Sequence, residues 1–180
     1  NGDAEYIELM NISDTKTLEL GGVKFTEGID FAFPAGTKLA PGTRILVILD
    51  EPAFEAVYGP GKPIAGIFQN GSRLNNGSDR IKLEDPSNSS IQEFTYDDEL
   101  PWPTGPDGGG FSLVLIKPIN SPDHNLSANW NQGSFVGGTP GEPEPSGFTG
   151  DPNADPDRDG LSNLLEYAFG TSPTQSQPSP

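Results

Sequence analysis

A chain of 180 residues is long enough for one domain and a small appended unit. Its 23 glycines and 19 prolines demand many turns and exclude a helix bundle, while 9% aromatic residues suffice for a core. Ten basic residues against 26 acidic ones leave a net charge of −16, a surface that repels nucleic acid and anionic membranes and attracts divalent cations.

In chain order, Ala4 to Asn11 alternates, with Tyr6, Glu8 and Met10 on one face and Glu5, Ile7 and Leu9 on the other. Alternation of this kind predicts a strand with one face buried. Val23 to Thr26 and Lys38 to Ala40 are shorter strand candidates. Ile45-Leu46-Val47-Ile48-Leu49 is five consecutive aliphatics, which predicts a strand buried on both faces. Asp50, Pro52 and the shared face of Phe54, Val57 and Tyr58 then predict a two-turn helix at residues 51–58, ended by Gly59 and Pro60. Asp79 to Leu83, Ile91 to Tyr96 and Phe111 to Lys117 complete the strands. Asn75-Asn76-Gly77 and Asp107-Gly108-Gly109-Gly110 lie between them as turns, and Gly77 is expected to need a positive φ. Short strands at this spacing predict a two-sheet sandwich with one crossover helix. Its expected core is Ile45 to Leu49 with Ile81, Leu83, Leu113 and Leu115.

The character changes near residue 137. Residues 137–150 hold five glycines and three prolines and read as a linker. Leu161, Leu164, Leu165, Ala168 and Phe169 then follow a helical spacing, with Gly170 and Pro173 to stop it. Residues 174–180 are low-complexity Ser, Gln and Pro and read as disordered.

Between linker and helix, Asp155-Pro156-Asp157-Arg158-Asp159-Gly160-Leu161-Ser162-Asn163-Leu164-Leu165-Glu166 fits the spacing D-x-[DN]-x-[DN]-G-x5-E of a calcium loop. Calcium takes six to eight oxygens at about 2.3–2.6 Å. The expected ligands are Asp155, Asp157 and Asp159, the Leu161 carbonyl, Asn163, and Glu166 with two oxygens. Gly160 permits the sharp turn. Asp151 and Asn153 are candidate further ligands. No helix can enter the loop through Asp151-Pro152-Asn153-Ala154, and no second loop follows. A structural site of weak, extracellular affinity is therefore expected.

Fragments in order along residues 3–142 resemble the bacterial branch of the lamin tail domain family. They include Glu5-Tyr6-Ile7-Glu8-Leu9-Met10-Asn11, Leu18-Glu19-Leu20-Gly21-Gly22-Val23 and Phe54-Glu55-Ala56-Val57-Tyr58-Gly59. Leu74-Asn75-Asn76-Gly77-Ser78-Asp79-Arg80-Ile81-Lys82-Leu83 follows, then Phe94-Thr95-Tyr96, Pro101-Trp102-Pro103, Gly109-Gly110-Phe111-Ser112-Leu113, Asn129-Trp130 and Gly138-Thr139-Pro140-Gly141. The resemblance implies an all-β, immunoglobulin-like sandwich without catalysis, used as an interaction or accessory unit of exported or surface proteins. Residues 151–173 resemble the calcium-binding repeats of thrombospondin type 3 and dockerin type. The expected organisation is thus a domain at 1–141, a linker at 142–150, a calcium loop and helix at 151–173, and a tail at 174–180.

Other chemistry is sparse. Cysteine is absent, which excludes thiol catalysis and disulfides. His124 is the only histidine and reads as a solvated loop residue. Asp97-Asp98-Glu99 beside Pro101-Trp102-Pro103 could supply a glycosidase carboxylate pair, but reads as an acidic loop held by a buried Trp. Asn-x-Ser at Asn11, Asn70, Asn76, Asn88 and Asn125 reads as chance in so Asn- and Ser-rich a chain. No apolar run reaches the roughly 20 residues of a membrane span, and no signal peptide is seen. The opening Asn1-Gly2-Asp3 and the lone Met10 suggest a piece of a longer or processed protein.

The expected function is a non-enzymatic interaction or spacer module of a secreted or cell-surface protein, with calcium as its ion and a protein or cell-surface polymer as partner. The rival is a carbohydrate-binding module of a polysaccharide-degrading enzyme, with Trp102, Trp130 and Tyr96 as sugar platforms. An exposed planar row of these rings would favour the rival, and buried rings the first reading.

Overall fold

The computed structural model describes residues 2–145, 153–162 and Leu165. The chain divides into two compact units, residues 1–143 and 144–180.

Unit 1 is mostly β. A three-stranded sheet has the order β1 (Tyr6–Met10), β6 (Arg44–Ile48), β7 (Ile64–Ile67). A four-stranded sheet has the order β4 (Phe31–Ala32), β3 (Lys24–Glu27), β8 (Asp79–Glu84), β9 (Ser90–Tyr96). Two further pairs are β2 (Leu18–Glu19) with β5 (Lys38–Leu39), and β10 (Phe111–Leu115) with β11 (Trp130–Val136). All pairings are antiparallel except that of β6 with β7.

The aliphatic run of β6 shows why it is central. Val47, at 0% exposure, joins a core cluster with Phe25, Phe31, Phe33, Ile81 and Leu83, against which Ile45 and Leu49 also pack. Leu46 and Ile48, pointing the other way, pack with Phe54 of helix α1 (Glu51–Tyr58). One face thus meets the sandwich core and the other the helix. β1 follows the same rule: Ile7 and Leu9 pack on the larger cluster, Tyr6 on the smaller.

Helix α1 has the expected bounds. The Asp50 side chain accepts a hydrogen bond from Ala53 N at 2.8 Å, and Gly59, at φ 75°, closes the other end by donating to Glu55 O at 2.9 Å. Phe54 is fully buried and Tyr58 packs beside it, but Val57 is 48% exposed and does not share their environment. The helix carries the chain from β6 into parallel β7, the crossover that parallel pairing needs.

Three expectations are corrected. Leu113 and Leu115 are half-buried and lie outside both core clusters. Gly77 does not adopt a positive φ; its N–H donates to the Asn75 side-chain oxygen at 3.1 Å, so an Asx turn closes the bend. Residues 137–141 are not linker. Tyr58 Oη donates to Gly137 O at 2.8 Å and Tyr6 Oη to the same oxygen at 3.5 Å. Gly141 N donates to Glu8 Oε2 at 2.7 Å, and Glu8 Oε1 is paired with Arg44 Nε at 2.9 Å.

Candidate metal loop

The residues of unit 2 that the structure describes include the acidic loop. One carboxylate oxygen from each of Asp155, Asp157 and Asp159 lies within 4.8 Å of the others, and these are the only three such groups so gathered among the described residues. The loop is wound by its own carboxylates. Asp155 Oδ2 accepts from Gly160 N at 3.1 Å, Asp157 Oδ1 from Asp159 N at 3.3 Å, and Asp159 Oδ1 from Leu161 N at 2.9 Å. Two left-handed residues make the turns, Arg158 at φ 62° and Gly160 at φ 93°. A Cβ at Gly160 would meet no atom within 4 Å, so backbone conformation rather than space calls for glycine there.

This geometry turns spare oxygens toward one another. Asp155 Oδ1 is shielded from solvent and accepts no hydrogen bond, an arrangement that costs energy unless a cation supplies the missing partner. Three carboxylates at such distances repel one another in the absence of positive charge. A hard divalent cation suits this all-oxygen donor set. Of the remaining expected ligands, Leu161 is described, with its N–H already engaged in the turn. Asn163 and Glu166 lie outside the described residues, as does Asp151. Leu161 and Ser162 are not helical and Leu165 is; the rest of the helix expected at 161–169 lies outside the described residues.

The signal that sequence reading missed is Arg158. It is exposed and left-handed, a conformation rare outside Gly, Asn and Asp. Only its place between Asp157 and Asp159, fourth in the loop spacing, marks it in the sequence.

Elsewhere the candidate groups make contacts within unit 1. Trp102 is buried; Trp130 stacks on Phe94 with ring centroids 5.1 Å apart, and lies 6.2 Å from Trp102. Trp130 Nε1 donates to His124 O at 2.8 Å. Tyr96 Oη donates to Asn75 O at 2.6 Å, and burial, with the Asp79 and Glu5 carboxylates, pushes its pKa upward. His124 is not a solvated loop residue: it is half-buried, with its ring 5.4 Å from Phe94 and 5.6 Å from Trp130. Burial lowers its pKa, against the Pro122 carbonyl and the Asp123 charge. Asp97 accepts from Glu99 N at 2.9 Å, which uses it to shape the acidic loop.

The family model described as the lamin tail domain matches residues 1–98, more than half of the chain and the whole of β1 to β9. The chain belongs to the lamin tail domain family. No curated protein matches it. The lamin tail domain is an immunoglobulin-like fold that is typically non-catalytic, in agreement with the mostly β architecture. The match stops at residue 98, before the β10–β11 pair and the aromatic cluster of Trp102 and Trp130. Those elements belong to unit 1 by contact, and bonds from Tyr6 and Glu8 of β1 and Tyr58 of α1 fasten residues 137–141 at its far end.

Proposed function

We propose that this lamin tail domain chain is a non-catalytic interaction or spacer module of a secreted or cell-surface protein, followed by a connector that one calcium ion stiffens. The observation that carries the reading is the carboxylate loop. Asp155, Asp157 and Asp159 face one another, Arg158 and Gly160 take left-handed turns, and the Asp155 oxygen lacks a donor. Asp155, Asp157, Asp159, the Leu161 carbonyl, Asn163 and Glu166 would hold the ion, the last two by their spacing. The segment's resemblance to thrombospondin type 3 and dockerin repeats supports the same reading. Bound calcium supplies positive charge, which offsets the carboxylate repulsion.

The partner is a protein or a cell-surface polymer rather than nucleic acid, given the net charge of −16. The aromatic arrangement favours this over sugar binding: Trp102 is buried and the rings of Trp130, Phe94 and His124 pack on one another instead of forming an open row.

Calorimetric titration with calcium chloride tests the loop. The expected dissociation constant is on the order of 10⁻⁴ M, as for extracellular modules. No heat of binding at millimolar calcium would overturn the reading.

A further inference from the structure

Of the ten lysines and arginines in the chain, Arg158 alone lies beyond Lys117. The other nine fall within unit 1. Lys24, Lys38, Arg44, Arg80 and Lys82 sit on strands, Lys62 and Lys117 each precede a proline, Arg73 is paired with Asp3, and Lys16, exposed in a loop, has its backbone N–H and carbonyl bonded to the Ser13 and Asn11 side chains. Arg158 is exposed, and the residues around it at 153–162 include none that is buried. Exposed loop tips of this kind are where chains are nicked.

Its backbone, however, has the wrong shape for cutting. A protease holds the residues around the cleaved bond in an extended strand, and Arg158 at φ 62° is left-handed. The amide nitrogen of the same bond, Asp159 N, donates to Asp157 Oδ1 inside the turn. The loop must open before the bond can enter an active site.

We infer that the Arg158–Asp159 peptide bond is a proteolytic processing site for enzymes that cut after arginine, and that calcium in the loop closes it. Cutting there is hydrolysis: water adds across the amide, leaving a carboxylate on Arg158 and a free amine on Asp159. Unit 1 is thereby separated from whatever follows residue 158. The inference rests on the calcium reading proposed above. Cleavage of a rarely opened segment follows the population of its open form. With a dissociation constant of about 10⁻⁴ M, calcium at about 5 mM lowers that population about fifty-fold.

The test is limited digestion of the full chain by trypsin, in calcium chloride at about 5 mM or in excess EGTA at matched ionic strength. The product ending at Arg158 is followed by mass, and its rate is normalised to a small arginyl substrate in each buffer, because trypsin itself responds to calcium. Calorimetry of the same sample reports binding separately. The expected result is a cut at Arg158 in EGTA, slowed at least tenfold by calcium, absent in Arg158→Gln, and no longer slowed in Asp155→Asn. Calcium binding by calorimetry with an unchanged cutting rate would overturn this inference and leave the calcium reading standing. No cut at Arg158 in either buffer would overturn it as well. No heat of binding would overturn the calcium reading, and this inference with it.

Discussion

In unit 1, Leu46, Val47, Ile48 and Phe54 are at 0% exposure, whereas no residue between 153 and 162 is buried. The sandwich draws its stability from apolar area removed from water. The loop has no such source: its own carboxylates bend it, and their mutual repulsion works against the bend. One chain thus holds a region built on a buried apolar core and a region wound by its own carboxylates. Perturbations of packing should be blind to calcium, and perturbations of the loop blind to the core.

Phe54→Ala is the strongest test of the first half. It empties a site at 0% exposure beneath α1. It should cost about 3–5 kcal/mol of unfolding free energy in denaturant titrations, equally in calcium and in EGTA. A cost that calcium relieves would break the division between the regions. Asn11→Ala comes next. Asn11, at 1% exposure, donates to Lys16 O at 2.8 Å and Leu39 O at 2.9 Å and accepts from Ser13 N at 3.0 Å. Removing it takes the donor from the buried Leu39 carbonyl and breaks two part-buried bonds to the Ser13–Lys16 turn, so the denaturation midpoint should fall by the equivalent of about 2–3 kcal/mol.

Glu166→Gln addresses the other half. It keeps size and removes a charged ligand, so calcium affinity should weaken at least tenfold by calorimetry, about 1.4 kcal/mol. The midpoint of the sandwich should not move. Gly77→Ala sharpens the picture of unit 1: with an ordinary φ and the nearest atom 3.8 Å from a built Cβ, it should change stability by no more than about 0.5 kcal/mol. The smallest effect concerns His124. Its folded pKa lies below the ordinary 6.5, so the unfolded chain takes up the proton more readily. Its contribution is whole above that pH and is lost as pH falls toward the folded value. The stability difference between wild type and His124→Gln should therefore shift against the wild type between about pH 7.5 and about pH 5.5, read as paired denaturation midpoints.

How legible these features were in the sequence depended on whether their cause was local. The β1 alternation, the five aliphatics of β6 and the Asp50 and Gly59 boundaries of α1 act over a few neighbouring residues, and each can be read directly. β7 was missed because it is four residues long and contains Gly66, which a sequence reading takes as a breaker. The structure gives the reason for that glycine: a Cβ there would come within 2.7 Å of the Phe31 ring, from a distant strand. β11, with Asn131, Gln132, Gly133 and Ser134 in its middle, carries no apolar pattern because most of it is exposed. Gly77 misled because Asn-Gly suggests a left-handed turn, while the Asn75 side chain satisfies the bend instead. In the loop, spacing alone pointed to the three aspartates that the fold brings together; the left-handed Arg158 has no such signature.

The tie between β1 and residues 137–141 bears on how unit 1 would carry tension. β1 begins at Tyr6 and the last strand, β11, ends at Val136; just beyond it Gly137 is bonded to Tyr6 and Gly141 to Glu8. Force applied on either side of the unit would pass the outer Asp3–Arg73 and Lys62–Glu142 ion pairs and then load these contacts, with Tyr58 gripping the same Gly137 oxygen from α1 and Arg44 bracing Glu8 from β6. The load would run through a short lateral path near the two exits and spare the aromatic interior. A handful of polar bonds at the seam, rather than the buried Phe and Leu side chains, would then set the force at which the unit first yields.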